Sequence, residues 1–308
     1  MKNASTLPSP ILAASITKAA SKQTYYMIRF LVDRDRVADA YRAYAYFRWV
    51  DDILDAETGS RAERSAFANR QKALLERCSL GEPVGEVCPE EEMLVELIQG
   101  DAEKNSGLQS YLRNMMAVMV FDADRRGRLI SQPELNEYTH WLAVAVTEAL
   151  HYFIGHNDFA PHGELRYQAV TGAHITHMLR DALEDAESGY YNIPRELAAA
   201  HGIAPWDVRS KTYCNWVKES VQKARLCFKA GRDCLAQVEN LRCRIAGYAY
   251  IRRFEIVLDC IEHEGCLLRA VYPERKTCAC KIGMLGWALW MAINRRQPAS
   301  NSSAITVR

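Results

Sequence analysis

The sequence predicts an all-α fold organised as a single domain, and three observations carry that prediction. An interior proline removes a helix donor and clashes with the preceding turn. The ten prolines leave proline-free segments of roughly 30 to 70 residues, rich in the helix formers Ala, Leu, Arg and Glu. Alternating Val/Ile/Thr runs joined by Asn-Gly or Asp-Gly turns, the signature of hairpins, are almost absent. Within Gly107 to Met119, Leu108, Tyr111, Leu112, Met115 and Val118 recur at three and four residues, the stripe of a helix with one buried face.

Taken in chain order, residues 1–15 hold one lysine and a short apolar patch, too little for a secretory leader. They predict a flexible N-terminus on a cytoplasmic protein. Residues 16–296 are expected to form the helical domain. Tyr41 to Asp55 and His174 to Asp185 read as helices whose polar side chains line up at three- and four-residue spacing. Ser79 to Pro89, Arg125 to Pro133, Gly155 to Gly163 and Ser188 to Pro194 are dense in Gly, Pro, Asn, Asp or Ser and predict loops. None is long enough to link two domains. Residues 282–293 (IGMLGWALWMAI) form the longest apolar stretch, too short to span a bilayer. That stretch reads as a core helix or, with its tryptophans and the flanking Lys281, Arg295 and Arg296, as a peripheral contact at a membrane surface. The polar residues 297–308 predict a disordered tail.

Composition narrows the function. Lys+Arg 39 against Asp+Glu 38 gives a net charge of +1, which supplies no basic field for nucleic acid. Eight of the ten cysteines lie between Cys214 and Cys280 without a C-x-x-C, so reduced and mostly buried thiols are expected rather than a zinc knuckle. No Gly-x-Gly-x-x-Gly stands between a strand and a helix, so no NAD(P) site is evident.

Two acidic clusters carry the chemistry. Arg48-Trp-Val-Asp51-Asp52-Ile-Leu-Asp55 places Tyr44, Arg48, Asp51 and Asp55 on one helix stripe. Its aspartates repel at this spacing unless a cation bridges them, and the apolar residues around them point to a cavity wall. More than a hundred residues on, His174-Ile-Thr-His177-Met-Leu-Arg180-Asp181-Ala-Leu-Glu184-Asp185 sets His177, Asp181 and Asp185 on a second ridge. Oxygen-rich ridges suit hard divalent ions held partly by phosphate oxygens, and arginines beside them suit phosphate itself.

Residues 46 to 55 (YFRWVDDILD), Asp122-Ala-Asp-Arg-Arg-Gly, Arg180-Asp-Ala-Leu-Glu-Asp and Gly189-Tyr-Tyr-Asn-Ile-Pro-Arg together resemble the squalene/phytoene synthase family. The resemblance runs from about Ser21 to a helix expected to include Arg269. It implies a single-domain helical bundle around a central cavity, isoprenoid synthase-like, with two aspartate-rich motifs facing each other. It implies that Asp51, Asp55, Asp181 and Asp185 hold magnesium, with manganese as an alternative, and that Arg48 and Arg180 hold diphosphate. The implied substrates are prenyl diphosphates, farnesyl or geranylgeranyl, coupled head to head through a cyclopropyl intermediate.

The chain also departs from the family pattern. His140, His174 and His177 stand where the family commonly carries Tyr, Gln and Asn, and Ser21-Lys22-Gln23-Thr24 replaces the usual diphosphate loop. Lys22, Thr24 and His174 are therefore expected at the diphosphate. His177 is expected at the metal, and His140 or His177 as an acceptor of the proton from a carbocation. Imidazoles in the cavity would also suit manganese, iron, cobalt or zinc. They open a second reading, ionisation of one diphosphate to a cyclised or eliminated terpenoid. Tyr41, Tyr44, Phe47, Trp141, Tyr152 and Phe153 are candidate aromatic walls. A non-catalytic binding protein and a His/carboxylate redox protein are the further alternatives.

Overall fold

A computed structural model describes residues 8–56, 59–272, 286 and 289–293. The described residues hold twelve α-helices and no strand, the all-α architecture that the proline spacing predicts. They are α1 (Ser9–Ala20), α2 (Lys22–Leu31), α3 (Val37–Asp55), α4 (Arg61–Ser79), α5 (Pro89–Gly100) and α6 (Gly107–Arg125). They continue as α7 (Gln132–Phe153), α8 (Gln168–Arg180), α9 (Ala182–Glu187), α10 (Arg195–His201), α11 (Lys211–Leu235) and α12 (Leu241–His263).

Side-chain oxygens satisfy the first orphan amides of most long helices, which is why Ser and Asn open them. Ser60, Ser106, Ser131, Ser210 and Asn240 cap α4, α6, α7, α11 and α12 in this way. The four predicted loops fall between helices: α4 ends at Ser79 and α5 begins at Pro89, and α9 gives way to the segment before α10 at Ser188.

Three expectations are corrected. Residues 1–15 were expected to be flexible, yet α1 already begins at Ser9 and packs against α3 with Ala13 and Thr17 buried. The ridge from His177 to Asp185 is not one helix: Asp181 has ψ near 2°, ending α8 and opening α9. The amide bonds from Asp181 to His177 and from Asp185 to Asp181 persist, so the chain bends without losing its direction. Arg269 lies beyond α12, which ends at His263. Of the described cysteines all are free, but only Cys227, Cys234 and Cys243 are buried. The expected tail 297–308 lies outside the described residues, as does much of 282–293.

The helices close on themselves. α3 packs on α6, α6 on α7, α7 on α8, α8 on α12, α12 on α2 and α2 again on α3, with α11 laid across α8 and α12. Glycines permit the closest approach: a Cβ on Gly231 of α11 would lie 2.8 Å from the Cα of Ala169 on α8, and one on Gly172 would lie 3.0 Å from the carbonyl of Ala224. The apolar core runs between, with Tyr46, Phe228, Phe254 and Leu112 fully buried. Tyr41, Phe47, Tyr152 and Phe153 are buried in this core.

The far end of the ring is tied by one carboxylate. Asp33, just after α2, accepts from the amides of Gly155 and His156 at 3.0 and 3.2 Å, and pairs with Arg242 of α12. Those bonds hold its pKa below the ordinary carboxylate value against the opposing effect of burial.

Candidate active site

The C-terminal ends of α3, α6 and α8 come together at the end of the bundle away from Asp33, and a cavity of about 590 Å3 opens there. Helix C-termini carry partial negative charge from their unpaired carbonyls. α3 contributes Arg48, Asp51, Leu54 and Asp55 to the lining, and the end of α6 contributes Asp122, Arg125 and Arg126. Arg180, Asp181, Glu184 and Asp185 come from the α8–α9 bend, and Ser188 and Tyr190 from the segment that follows. Six carboxylates and four guanidiniums therefore share one cavity, an acidic excess that favours cations.

Most of these charges are already paired. Arg48 donates to Asp51 at 3.1 Å and also pairs with Asp52. Arg180 grips Asp181 with two bonds of 2.6 Å. A longer chain of bonds crosses the cavity floor. Tyr138 of α7 donates to Asp122 at 3.0 Å, Asp122 accepts from Arg125 at 2.6 Å, Arg125 donates to Asn192 at 3.1 Å, and Asn192 donates to Asp185 at 2.7 Å. Tyr190 reaches back across the mouth, its hydroxyl 3.4 Å from Asp55 and its ring 5.0 Å from the Arg125 guanidinium carbon.

The wall that carries Tyr190 is stitched to the end of α6. Gly127 donates to the carbonyl of Gly189 at 2.8 Å, and Arg126 Nε donates to the carbonyl of Ser188 at 3.0 Å. Leu129 forms an isolated parallel bridge with Tyr191. Gly127 and Gly189 both have φ of +84°, a region that L side chains rarely adopt, so glycine is required at each.

Carboxylate crowding shows in the acidities. Burial, and then the neighbouring Asp55, push Asp51 up to about 6, although Arg48 opposes the shift. Burial pushes Asp185 up to about 6 as well, with the Asn192 bond pulling down and Asp181 pushing up. Asp122 is raised by burial in spite of Arg125. Each shift marks negative charge that a bound cation would relieve.

The structure thus brings together Asp51, Asp55, Asp181, Asp185, Arg48 and Arg180. The other expected site residues stand elsewhere. His140 is exposed on the outer face of α7, with its ring 6.2 Å from that of Tyr167, so it is not placed to take a proton in the cavity. Lys22 is exposed, and Thr24 belongs to the α2 cap, where its amide and hydroxyl both bond Ser21. Neither lines the cavity. His174 is buried beside Tyr138 with Nε2 unpartnered, and burial holds its pKa down to about 3, so it is a neutral group sealed in the core. His177 packs edge-on against Phe254 at 4.6 Å, and burial lowers it to about 4. It does not line the cavity and does not join the expected metal ligands.

Sequence reading had not assigned roles to Asp122, Arg125, Arg126, Tyr138 or Tyr190. Tyr138 carried a usable signal: Leu135, Tyr138, Leu142 and Ala145 form the inward stripe of α7, and His140 lies off it.

Among the described residues no three His, Cys, Asp or Glu side chains already stand as a metal-ligating group. Asp51 and Asp181 are held by arginines instead. The donor set itself, all carboxylate oxygen with two acids raised by burial and, after it, by neighbouring carboxylates, fits a hard divalent ion such as magnesium.

Comparison with known proteins adds an independent line. The family model described as squalene/phytoene synthase matches residues 17–276. A presqualene diphosphate synthase of Zymomonas mobilis subsp. mobilis is 30% identical over 201 residues, covering 63% of this chain and 63% of that protein. The alignment therefore spans less than two thirds of that relative. Among solved structures, a dehydrosqualene synthase in complex with ligand superposes with a TM-score of 0.68 at 15% identity, covering 91% of this chain and 95% of that one. Squalene synthase HpnC from Alicyclobacillus acidocaldarius gives 0.65 at 18% identity, covering 83% and 94%. At these identities the likeness is one of fold, and it agrees with the isoprenoid synthase-like bundle expected from the motifs.

Proposed function

This chain belongs to the squalene/phytoene synthase family, and from that premise we propose that it is a cytoplasmic prenyltransferase joining two prenyl diphosphates, farnesyl or geranylgeranyl, head to head. One observation carries the reading: two aspartate motifs from helices far apart in sequence meet across a single cavity that arginines also line. In the reaction the C1–O bond of one substrate breaks and diphosphate leaves with the electron pair. The double bond of the second substrate captures C1, and loss of a proton closes a cyclopropane.

Asp51, Asp55, Asp181 and Asp185 are the residues to hold magnesium, or manganese in its place. When bound, the ion supplies charge neutralisation on the leaving diphosphate. Arg48 and Arg180, which now neutralise aspartates, stand where the same guanidiniums can pair phosphate oxygens. The bonds from Tyr138 through Asp122, Arg125 and Asn192 fix the carboxylate of Asp185 before substrate enters.

The single-substrate alternative drew on imidazoles in the cavity. With His140 outside and His174 and His177 off the lining, it loses that support. Contact with a membrane surface belongs to the proposal too: Leu289, Trp290 and Ile293 are exposed at the end of the described chain. No helix among the described residues is long and apolar enough to cross a membrane.

The test is purified protein with farnesyl or geranylgeranyl diphosphate, with and without magnesium or manganese, following released pyrophosphate and product mass. A metal-dependent product of doubled carbon count supports coupling. An unchanged carbon count returns the protein to the single-substrate reading. Asp51→Asn should lower turnover on the order of a hundredfold or more. Its melting temperature should hold or rise, because the change removes a crowded charge. Undiminished turnover in this variant would overturn the assignment.

A further inference from the structure

Buried polar atoms almost always find a partner, so an orphaned donor on a residue that lines a cavity is informative. Among the described residues six buried side-chain atoms lack one, on Arg64, Arg126, Arg128, Thr147, Arg166 and His174. Of these residues Arg126 is the one that lines the acidic cavity. Its neighbours are already engaged: Arg48 by Asp51 and Asp52, Arg180 by Asp181, Arg125 by Asp122 and Asn192.

Arg126 is also held in place. It follows the last turn of α6, and its Nε is fixed on the carbonyl of Ser188 at 3.0 Å. The backbone on either side is stitched through Gly127 and Gly189, and the Tyr190 ring lies 6.0 Å from the guanidinium carbon. With Nε spent and Nη1 buried and unpartnered, the guanidinium keeps an unused donor beside the cavity, and turned toward an anion its planar fork matches phosphate oxygens.

Resting on the proposed coupling activity, we propose that Arg126, backed by Tyr190 and Ser188, is a seat for a diphosphate group at the rim of the cavity. It differs from Arg48 and Arg180 in needing no aspartate to let go. The seat accordingly takes the anion when the motif aspartates are still paired with their own arginines.

The test is titration of inorganic pyrophosphate, with and without magnesium, into wild type, Arg126→Gln, Arg126→Lys and Arg128→Gln. Arg128 pairs with Asp124 and Glu134 and does not line the cavity, so its variant controls for loss of one positive charge. Arg126→Gln should weaken binding at least tenfold, about 1.4 kcal/mol, in both conditions. Arg126→Lys should fall between, and Arg128→Gln should stay within twofold of wild type. KM for the prenyl diphosphate should rise in Arg126→Gln in parallel.

Equal binding by wild type and a folded Arg126→Gln overturns the seat, as does equal weakening by Arg128→Gln or no pyrophosphate binding by wild type. If Arg126→Gln does not fold, Arg126→Lys decides, since it keeps charge and stem but loses the fork; unchanged affinity there overturns the seat. Coupling by wild type with unaffected pyrophosphate binding sinks the seat alone. Absence of coupling alongside Arg126-dependent pyrophosphate binding sinks the substrate reading alone.

Discussion

His174 sits in the core as an uncharged imidazole, and that has a definite pH consequence. Burial, with His177 and Arg125 adding to it, holds the group down to about 3, whereas an unfolded histidine titrates near 6.5. Below that value the unfolded chain binds a proton that the native chain refuses, so stability falls as pH drops from about 6.5 toward 3. His174→Gln should remove this loss and gain about 2 kcal/mol relative to wild type between pH 7 and pH 5. Asp51 and Asp185, raised to about 6, titrate nearby with the opposite sign. The comparison is therefore variant against wild type by urea unfolding at each pH, and parallel curves would sink it. The aspartates and Arg48 and Arg180 were legible because charge at helical spacing is costly without a purpose. His140 was misplaced because two positions on a helix turn a side chain through roughly 200°. Arg126 was illegible, since a guanidinium beside a turn announces nothing until Ser188 and Tyr190 lie against it.

Helix contacts set the position of the second aspartate motif. α8 ends at Arg180, and its closest approach to α11 passes through Gly231 against the backbone of Ala169. Backbone cannot rotate away as a side chain can, so Gly231→Ala should cost about 1–3 kcal/mol. Turnover should fall as well, because α8 must shift and Asp181 follows it. A denaturant midpoint equal to wild type, or lost stability with full turnover, would contradict this. The loops were legible from Pro, Gly and Asn, and the helices from apolar spacing. The break at Asp181 was not, because the apolar and acidic pattern continues through it while the backbone bends. Nor were the helical glycines, whose meaning lies in the partner surface.

At the level of the whole molecule, ring closure rests on contacts among α2, the α7 end and α12 that no local pattern encodes. Asp33 joins all three. Asp33→Ala leaves two backbone amides without an acceptor and leaves Arg242 only the carbonyls of Leu31 and Val32, which should lower stability by about 2–4 kcal/mol. The first turn of α3 lies about 21 Å along its axis from Asp51, so turnover at saturating substrate should change less than about twofold. Its depressed pKa adds a sign: the stability it lends is present above the unfolded value near 3.9 and is lost as pH falls through the folded one. Thermal melts of wild type and variant at pH 7 and pH 3 check both, and a difference that does not shrink at the lower pH would contradict the assignment.

The cavity draws its walls from residues 48–55, 122–126 and 180–190. A chain is made from its N-terminus, so these three stretches leave the ribosome in sequence. When the first has emerged, Arg48 is its immediate counter-ion; when the second has, Arg125 serves Asp122 in the same way. The third brings Arg180 alongside Asp181. Each acidic stretch thus arrives with an arginine a few residues away that offsets part of its charge. The acids are partly neutralised as they gather, and their full concentration appears only once the Tyr190 segment has seated against the end of α6.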